Sequence, residues 1–154
     1  MGSHEYHLVV DVWIRDRAGR FLVSRRASDR PRGGLWEPTG GSALRGEESL
    51  TAALREVREE LGVWLDPARG IWLFTARHDS TGARGSWFRD VWLFDQDVDL
   101  TAIRCQQTEV SDAEWATQRH VRHLASAGAF ARSLKDIDEL MGLIAARSAA
   151  GQAG

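Results

Sequence analysis

The sequence predicts a single α+β domain in which helices cover a central mixed sheet. The chain has 154 residues, which is close to the usual size of one domain. Strand-like and helix-like segments both occur, but they do not alternate regularly as the units of a parallel sheet would. Neither an internal repeat nor a linker-like segment divides the sequence. Residues 1–154 are therefore interpreted as one domain.

Six segments have the residue types and spacing of β-strands. The first segment alternates in polarity and is rich in β-branched side chains. A turn that ends at Gly19 joins it to the second segment, and the two are therefore predicted to form a hairpin. The third combines aromatic, proline and double-glycine signals and is expected to enter a tight loop. A Gly- and Ser-rich turn over 79–86 is expected between the fourth and fifth. The predicted strands are His7–Ile14, Phe21–Ser24, Leu35–Gly41, Ile71–Ala76, Trp87–Phe94 and Ala113–Ala116.

Three segments predict helices. Glu48–Leu61 is the clearest, because its large apolar side chains recur on one stripe at about 100° per residue. Gly62 follows as a C-terminal cap. Gln118–Leu124 and Leu134–Ala146 are also predicted to be helical. Residues 148–154 are expected to fray, and residues 1–4 are interpreted as a tag remnant or a flexible start. The stripe consists of Leu50, Leu54, Val57 and Leu61.

Composition excludes several classes of protein. With 20 basic and 22 acidic side chains, the formal net charge is −2, so no nucleic acid polymer is expected as a partner. A single cysteine, Cys105, excludes an internal disulfide and a multi-thiolate zinc site. No apolar run approaches the roughly 20 residues of a membrane-spanning helix, and no signal-peptide core is present. These features predict a cytoplasmic protein that does not act at a membrane.

Carboxylates cluster on the Glu48–Leu61 helix. Glu56, Glu59 and Glu60 lie within an arc of about 100°, on the side that the helical pattern places opposite the apolar stripe. Like charges at these spacings are mutually destabilising. Two explanations are open: a solvated acidic face, or a site for a hard divalent cation such as Mg²⁺. Glu47 is available to pair with an arginine eight residues later on the helix.

The segment around this helix has a specific pattern. It consists of Gly41, five residues, Glu47, seven residues, and then REVREELGV from Arg55 to Val63. It resembles the Nudix box, with every fixed position present, and such a match arises by chance with a probability on the order of 10⁻⁷. The resemblance implies an α/β/α sandwich with a central mixed sheet. It also implies hydrolysis of a nucleoside diphosphate, or another diphosphate, linked to a further moiety.

The resemblance also implies roles for the residues of the box. Glu56 and Glu60 would be the principal Mg²⁺ ligands, with Mn²⁺ as a substitute. Glu59 would be a further ligand or the catalytic base, and the backbone of Gly41 would contribute to the metal site. Metal ions at such a site neutralise phosphate charge, activate water and orient an in-line displacement at phosphorus.

The Glu47–Arg55 pair would hold the loop and the helix in register, again by the resemblance. Family members are often homodimers, so a homodimer is expected.

Residues outside the box are candidates for substrate binding. Trp36 and Glu37 stand in a Trp-Glu-x-x-Gly-Gly approach that resembles the family pattern, in which the position after the tryptophan contacts substrate. A core tryptophan and a solvent-facing carboxylate are the alternatives. Arg25 and Arg26 resemble the basic pair that several subfamilies direct at phosphates, and a solvated face is the alternative.

Glu109 precedes Trp115 at a spacing found in many relatives, in which the glutamate reaches the metals or acts as a base. An ordinary acidic loop residue is the alternative.

Three functional hypotheses remain open. The first is a hydrolase acting on a nucleotide or another small diphosphate. The second is an enzyme like isopentenyl-diphosphate isomerase, the branch that the early tryptophan segment and the Glu109 segment resemble most. That enzyme needs a cysteine in the loop after the early tryptophan, where this chain has Thr39, and Cys105 lies elsewhere. The third is a catalytically silent binding module, which would be expected to lose box carboxylates, and none is missing.

Overall fold

The computed structural model of the chain describes residues 7–79 and 85–153. The expectation for residues 1–4 lies outside these ranges, as does most of the turn predicted over 79–86. All six predicted strands and all three predicted helices are present. The strands are β1 (His7–Arg15), β2 (Phe21–Arg26), β3 (Trp36–Ser42), β4 (Gly70–His78), β5 (Trp87–Asp95) and β6 (Val110–Ala116). The helices are α1 (Ser49–Leu61), α2 (Gln118–Ser126) and α3 (Leu134–Ala153).

The strands form one mixed sheet in the order β4-β5-β1-β3-β2-β6. β1 is central: it pairs in parallel with β5 along its whole length and antiparallel with β3. The remaining main pairings are antiparallel. A strand buried on both faces is expected to be apolar almost throughout, and five consecutive residues of β1, from Val10 to Ile14, are buried. The predicted mixed sheet is therefore confirmed.

The hairpin predicted for the first two strands is wrong over most of its length. A tight turn does join them, and Gly19 adopts a left-handed conformation there with a φ of 82°. However, β1 and β2 pair only at Arg15 and Phe21. Beyond that point β3 lies between them, because its residues from Thr39 to Ser42 occupy the edge of β1. Local turn signals predicted the connection but not the strand inserted into it.

Helices cover both faces of the sheet, as the predicted sandwich requires. On one face α1 contributes Ala53, Val57 and Leu61 to a core that also contains Val12 and Leu22. On the other face α2 and α3 pack against the strands. The side chains buried in that second layer include Trp13, Val23, Val121, Ile137, Leu140 and Ile144. Side chains alternate across each strand, so neighbouring residues of β1 and β3 serve opposite layers.

The ends of two helices are informative. α1 ends at Leu61, and Gly62 caps it with a left-handed φ of 69° and an N–H that donates to Arg58. α3 continues to Ala153, whereas the sequence predicted an end at Ala146 and fraying over 148–154. The alanine-rich composition of this last stretch favours the helix intrinsically. In the described part of the chain, no helix combines the length and apolar character needed to cross a bilayer.

Candidate metal and phosphate cleft

A polar cleft of about 330 Å³ opens between α1, the end of β3 and the loop that precedes β6. The cleft brings together seven of the residues that the sequence nominated. These are Arg26, Glu37, Gly41, Glu56, Glu59, Glu60 and Glu109. Arg30, Gly40, Ser42 and Gln106 complete the lining.

Glu60 lies at the boundary between the buried and solvated sides of α1. It is only 9% exposed, so its placement opposite the apolar stripe was wrong. The Thr39 hydroxyl donates a hydrogen bond of 2.9 Å to its carboxylate, and the Gly40 N–H donates one of 3.4 Å. These bonds favour the ionised form, but burial outweighs them and raises the pKa of Glu60 to about 7. The site therefore contains a carboxyl that is poorly compensated in the absence of a cation.

Glu56 packs directly against the backbone of Gly41. A Cβ atom built at Gly41 would lie 2.5 Å from Glu56 Oε2, which is closer than van der Waals contact allows. A side chain at this position would therefore displace the Glu56 carboxylate, and the constraint comes from that close approach and not from an unusual φ. Burial raises the pKa of Glu56, although Arg55 acts in the opposite direction.

Arg55 connects the loop to the helix. Its Nε and Nη2 donate to Glu47 over 2.8 and 3.0 Å, so the predicted pair is present and bidentate. Nη1 also donates to Glu56 over 3.1 Å and to Glu59 over 3.0 Å, and Nη2 donates to the carbonyl of Ser42. The hydrogen bonds from Arg55 lower the pKa of Glu47. This guanidinium thus holds three carboxylates in one arrangement.

Two arginines line the cleft together with the carboxylates. Arg26 donates through Nη1 to both carboxylate oxygens of Glu37, over 3.1 and 3.2 Å. Burial nevertheless raises the pKa of Glu37, with Arg26 as the largest opposing influence. Arg30 forms an ion pair with Glu109, so the two nominated acidic residues outside the box are both paired with cations. The arginine side chains offer planar donor forks of the kind that bind phosphate oxygens.

Some placements were not foreseen. Arg30 lies in the polar loop after β2, where no periodicity distinguishes one arginine from its neighbours. Gln106 also carried no motif. By contrast, Arg25 and Trp36 are not brought into the cleft, because they occupy paired positions on the opposite face of the sheet. There the Arg25 guanidinium lies 5.8 Å from the centre of the Trp36 ring, and Trp36 packs against the core beneath α3.

The donor set suits a hard divalent cation, but the carboxylates are engaged with other partners. Among residues 7–79 and 85–153, no three acidic, histidine or cysteine side chains converge closely enough to form a complete metal site as they stand. Arg55 Nη1 donates to both Glu56 and Glu59, and the Thr39 hydroxyl donates to Glu60. All these carboxylate side chains are oxygen ligands. Burial disfavours the ionised forms of two of them, Glu56 and Glu60. The residues therefore fit Mg²⁺ chemically.

Comparisons with known proteins identify the family of the chain. The family model described as "NUDIX domain" matches residues 5–136. An uncharacterized Nudix hydrolase of Listeria monocytogenes is 37% identical over 128 residues, covering 82% of this chain and 72% of that protein. The isopentenyl-diphosphate Delta-isomerase of Mycolicibacterium vanbaalenii is 32% identical over 128 residues, covering 82% and 70%. The chain therefore belongs to the Nudix family, as the box predicted.

A solved structure shares the fold. The NUDIX domain of Shewanella oneidensis NrtR, crystallised with ADP ribose, superposes with a TM-score of 0.66 at 23% identity, covering 93% of this chain and 88% of that one. The structural likeness confirms the predicted sandwich. The family model and the relatives named as Nudix hydrolases identify the chain as an enzyme of the hydrolase class.

Proposed function

We propose that this enzyme hydrolyses the diphosphate linkage of a small organic diphosphate, with Mg²⁺ bound by Glu56, Glu59 and Glu60. The observation that carries the proposal is the meeting of these carboxylates with two arginines in one polar cleft. Carboxylates alone are compatible with a cation site of any kind. Arginines across the same cleft add donors for the non-bridging oxygens of a phosphate, and this combination suits a metal-bound diphosphate.

Each group in the cleft has a task in such a reaction. When bound, Mg²⁺ neutralises phosphate charge and lowers the pKa of a coordinated water. Arg26 and Arg30 orient the diphosphate after exchanging Glu37 and Glu109 for phosphate oxygens. Glu59, whose side chain is 48% exposed, can turn from Arg55 into the cleft as a ligand or as a proton acceptor. Glu109 is a second candidate for the base. The main-chain carbonyl of Gly41 is proposed as a further metal ligand.

The isomerase alternative has support from the relatives of that name, but the cleft of this chain does not favour it. Thr39, a residue of β3, occupies the position at which that enzyme needs a cysteine, and its hydroxyl donates a hydrogen bond to Glu60. Cys105 is the only cysteine of the chain and packs beside the core beneath α1. Burial raises the pKa of the Cys105 thiol, which disfavours the reactive thiolate. We therefore favour hydrolysis.

A silent binding module is the third hypothesis. Every carboxylate of the box is present, and Arg55 is paired with Glu47, Glu56 and Glu59, so no missing box residue supports this hypothesis. The bound ADP ribose in the NrtR domain shows that this fold accommodates a nucleotide ligand in that protein. For this chain we propose a small-molecule diphosphate as the partner. The homodimer and the cytoplasmic location remain predictions.

One experiment distinguishes the three hypotheses. The protein is incubated with nucleoside di- and triphosphates, ADP ribose, sugar nucleotides, isopentenyl diphosphate and dimethylallyl diphosphate, in Mg²⁺ or in EDTA, and released phosphate, pyrophosphate and monophosphates are quantified. We expect Mg²⁺-dependent release from at least one compound, reduced by at least about 100-fold in Glu59→Gln or Glu60→Gln. Equal release by wild type and both variants would reject the hydrolase. Conversion of isopentenyl to dimethylallyl diphosphate without phosphate release would establish the isomerase.

A further inference from the structure

Gln106 differs from the other polar side chains that line the cleft, because its amide has no hydrogen-bond partner among residues 7–79 and 85–153. The carboxylates and guanidinium groups of the lining are all paired. Ser42 Oγ and His7 Nε2 share a hydrogen bond of 3.1 Å. Within the described cleft, the nitrogen and the oxygen of the Gln106 amide are therefore both available to a ligand.

The backbone of Gln106 is fixed on both sides. Its N–H donates over 2.8 Å to the carbonyl of Glu60, in the last turn of α1. Its own carbonyl accepts hydrogen bonds of 2.8 Å from the N–H groups of Glu109 and Val110. Exposed glutamines are usually only hydrated, and the neighbouring Gln107 is such a residue, because it is exposed and lies outside the cleft. Gln106 instead combines an anchored backbone with a free side chain at the edge of the site.

The charges of the cleft give this amide a particular value for binding an anion. Five carboxyl groups and two guanidinium groups line the cleft, so its formal charge is negative before a cation binds. Arg26 and Arg30 are already paired with carboxylates, and a phosphate must compete with these for the guanidinium donors. The Gln106 amide can donate without giving up an existing contact. A hydrogen bond to a charged acceptor is also stronger than one between neutral groups.

We propose that Gln106 binds the diphosphate of the substrate, its amide nitrogen donating to a non-bridging phosphate oxygen. This inference rests on the proposed function, since it adds a substrate-binding residue to the same cleft. The non-bridging oxygens are negatively charged before and during displacement at phosphorus. The contact therefore stabilises the bound substrate and the transition state to a similar extent, and its main effect is to lower KM.

Binding of methylenediphosphonate, whose P–C–P linkage is not hydrolysed, tests the contact separately from the chemistry. The analogue is titrated into the protein by calorimetry in the presence of Mg²⁺. Gln106→Ala should weaken binding by at least about tenfold, as expected for loss of a hydrogen bond to a charged group. Gln106→Glu should weaken it further, because it replaces the donor by another carboxylate of the same size. Gln107→Ala and Gln107→Glu are the matched controls and should change the affinity by less than about threefold.

Two further measurements separate a substrate contact from support of the metal site. Mn²⁺ binding to Gln106→Ala, followed by electron paramagnetic resonance, should equal that of wild type. For the best substrate of the panel, the same variant should raise KM by at least about tenfold and change kcat by less than about threefold. A parallel loss of Mn²⁺ affinity would show that Gln106 acts through Glu60, whose carbonyl it contacts, and would overturn the proposal.

The proposal is also overturned if wild type does not bind the analogue in Mg²⁺, or if the Gln106 and Gln107 variants bind it equally. Thermal unfolding verifies that each variant is folded, and if one Gln106 variant is not, the other decides. Hydrolysis of a panel compound with an unchanged KM in the Gln106 variants would reject this inference and leave the proposed function intact. Analogue binding that depends on Gln106, without hydrolysis of any compound, would reject the proposed function alone.

Discussion

Replacing Glu60 by glutamine is expected to stabilise the metal-free protein at alkaline pH. Burial raises the pKa of this carboxyl from 4.5 to about 7. A carboxyl with a higher pKa in the folded state binds a proton more tightly there. The folded state therefore loses stability relative to the unfolded state as the pH rises from 4.5 to about 7. Glutamine is neutral at every pH and escapes this loss, while its amide oxygen can still accept the hydrogen bond from Thr39.

The size of the effect follows from the two pKa values. At about 1.4 kcal/mol for each pKa unit, the difference between 4.5 and about 7 corresponds to roughly 3 kcal/mol of unfolding free energy. No large reduction for solvent screening applies, because Glu60 is 9% exposed. We expect the glutamine variant to gain about 3 kcal/mol over wild type between pH 4 and pH 8.

Urea unfolding in EDTA at pH 4, 6 and 8 measures this difference. Glu48→Gln is the matched control, because Glu48 is an exposed glutamate at the start of the same helix and makes no capping hydrogen bond. Its effect should stay within about 0.5 kcal/mol at each pH. If the difference in unfolding free energy between Glu60→Gln and wild type does not grow from pH 4 to pH 8, burial does not destabilise the ionised Glu60 carboxylate.

Three further predictions concern residues that contact the carboxylates of the cleft. Arg55→Met should lower the unfolding free energy at pH 7 by about 2–4 kcal/mol in urea titrations, because it leaves buried carboxylates without their cationic partner. This loss should shrink as the pH falls below 4.5 and Glu47 is protonated. The control variant Arg58→Met should cost less than about 1 kcal/mol. An equal cost for the two would contradict the role of the buried network. Thr39→Val should weaken Mn²⁺ binding, followed by electron paramagnetic resonance, by about tenfold, and unchanged affinity would argue against its support of the metal site. Gly41→Ala should reduce hydrolysis by about 100-fold, because the added methyl group displaces the Glu56 carboxylate. The circular dichroism spectrum should be unaltered. Full activity of the variant would refute this prediction.

Much of the fold was predictable because its elements have strong local patterns. α1 was located within one residue, since an apolar stripe and Gly62 define its course and its end. The position of β3 was not predictable in the same way. Its insertion between β1 and β2 depends on pairing along the edge of β1, which no local signal records. The hairpin prediction failed for this reason.

In the candidate site, too, the features set by local spacing were predictable and those set by tertiary contacts were not. The Glu47–Arg55 pair was predictable because the box places both residues at a fixed spacing, and the structure contains the bidentate contact. The burial of Glu60 was not predictable from helical spacing, because it depends on Thr39 in a neighbouring strand. The conformation of the loop after β2 places Arg30 in the cleft, and amino-acid composition does not predict the conformation of a loop.

Hydrolysis as a function of Mg²⁺ concentration, in Glu56→Gln compared with Glu48→Gln, tests the central claim most directly. Both changes remove one carboxylate from the same part of the chain, but only Glu56 lines the cleft. For the best substrate of the panel, we predict that Glu48→Gln retains the Mg²⁺ dependence and rate of wild type. Glu56→Gln should require more Mg²⁺ and lose at least about 100-fold in rate at saturation. Equal curves for the two variants would contradict a metal-dependent hydrolase in this cleft.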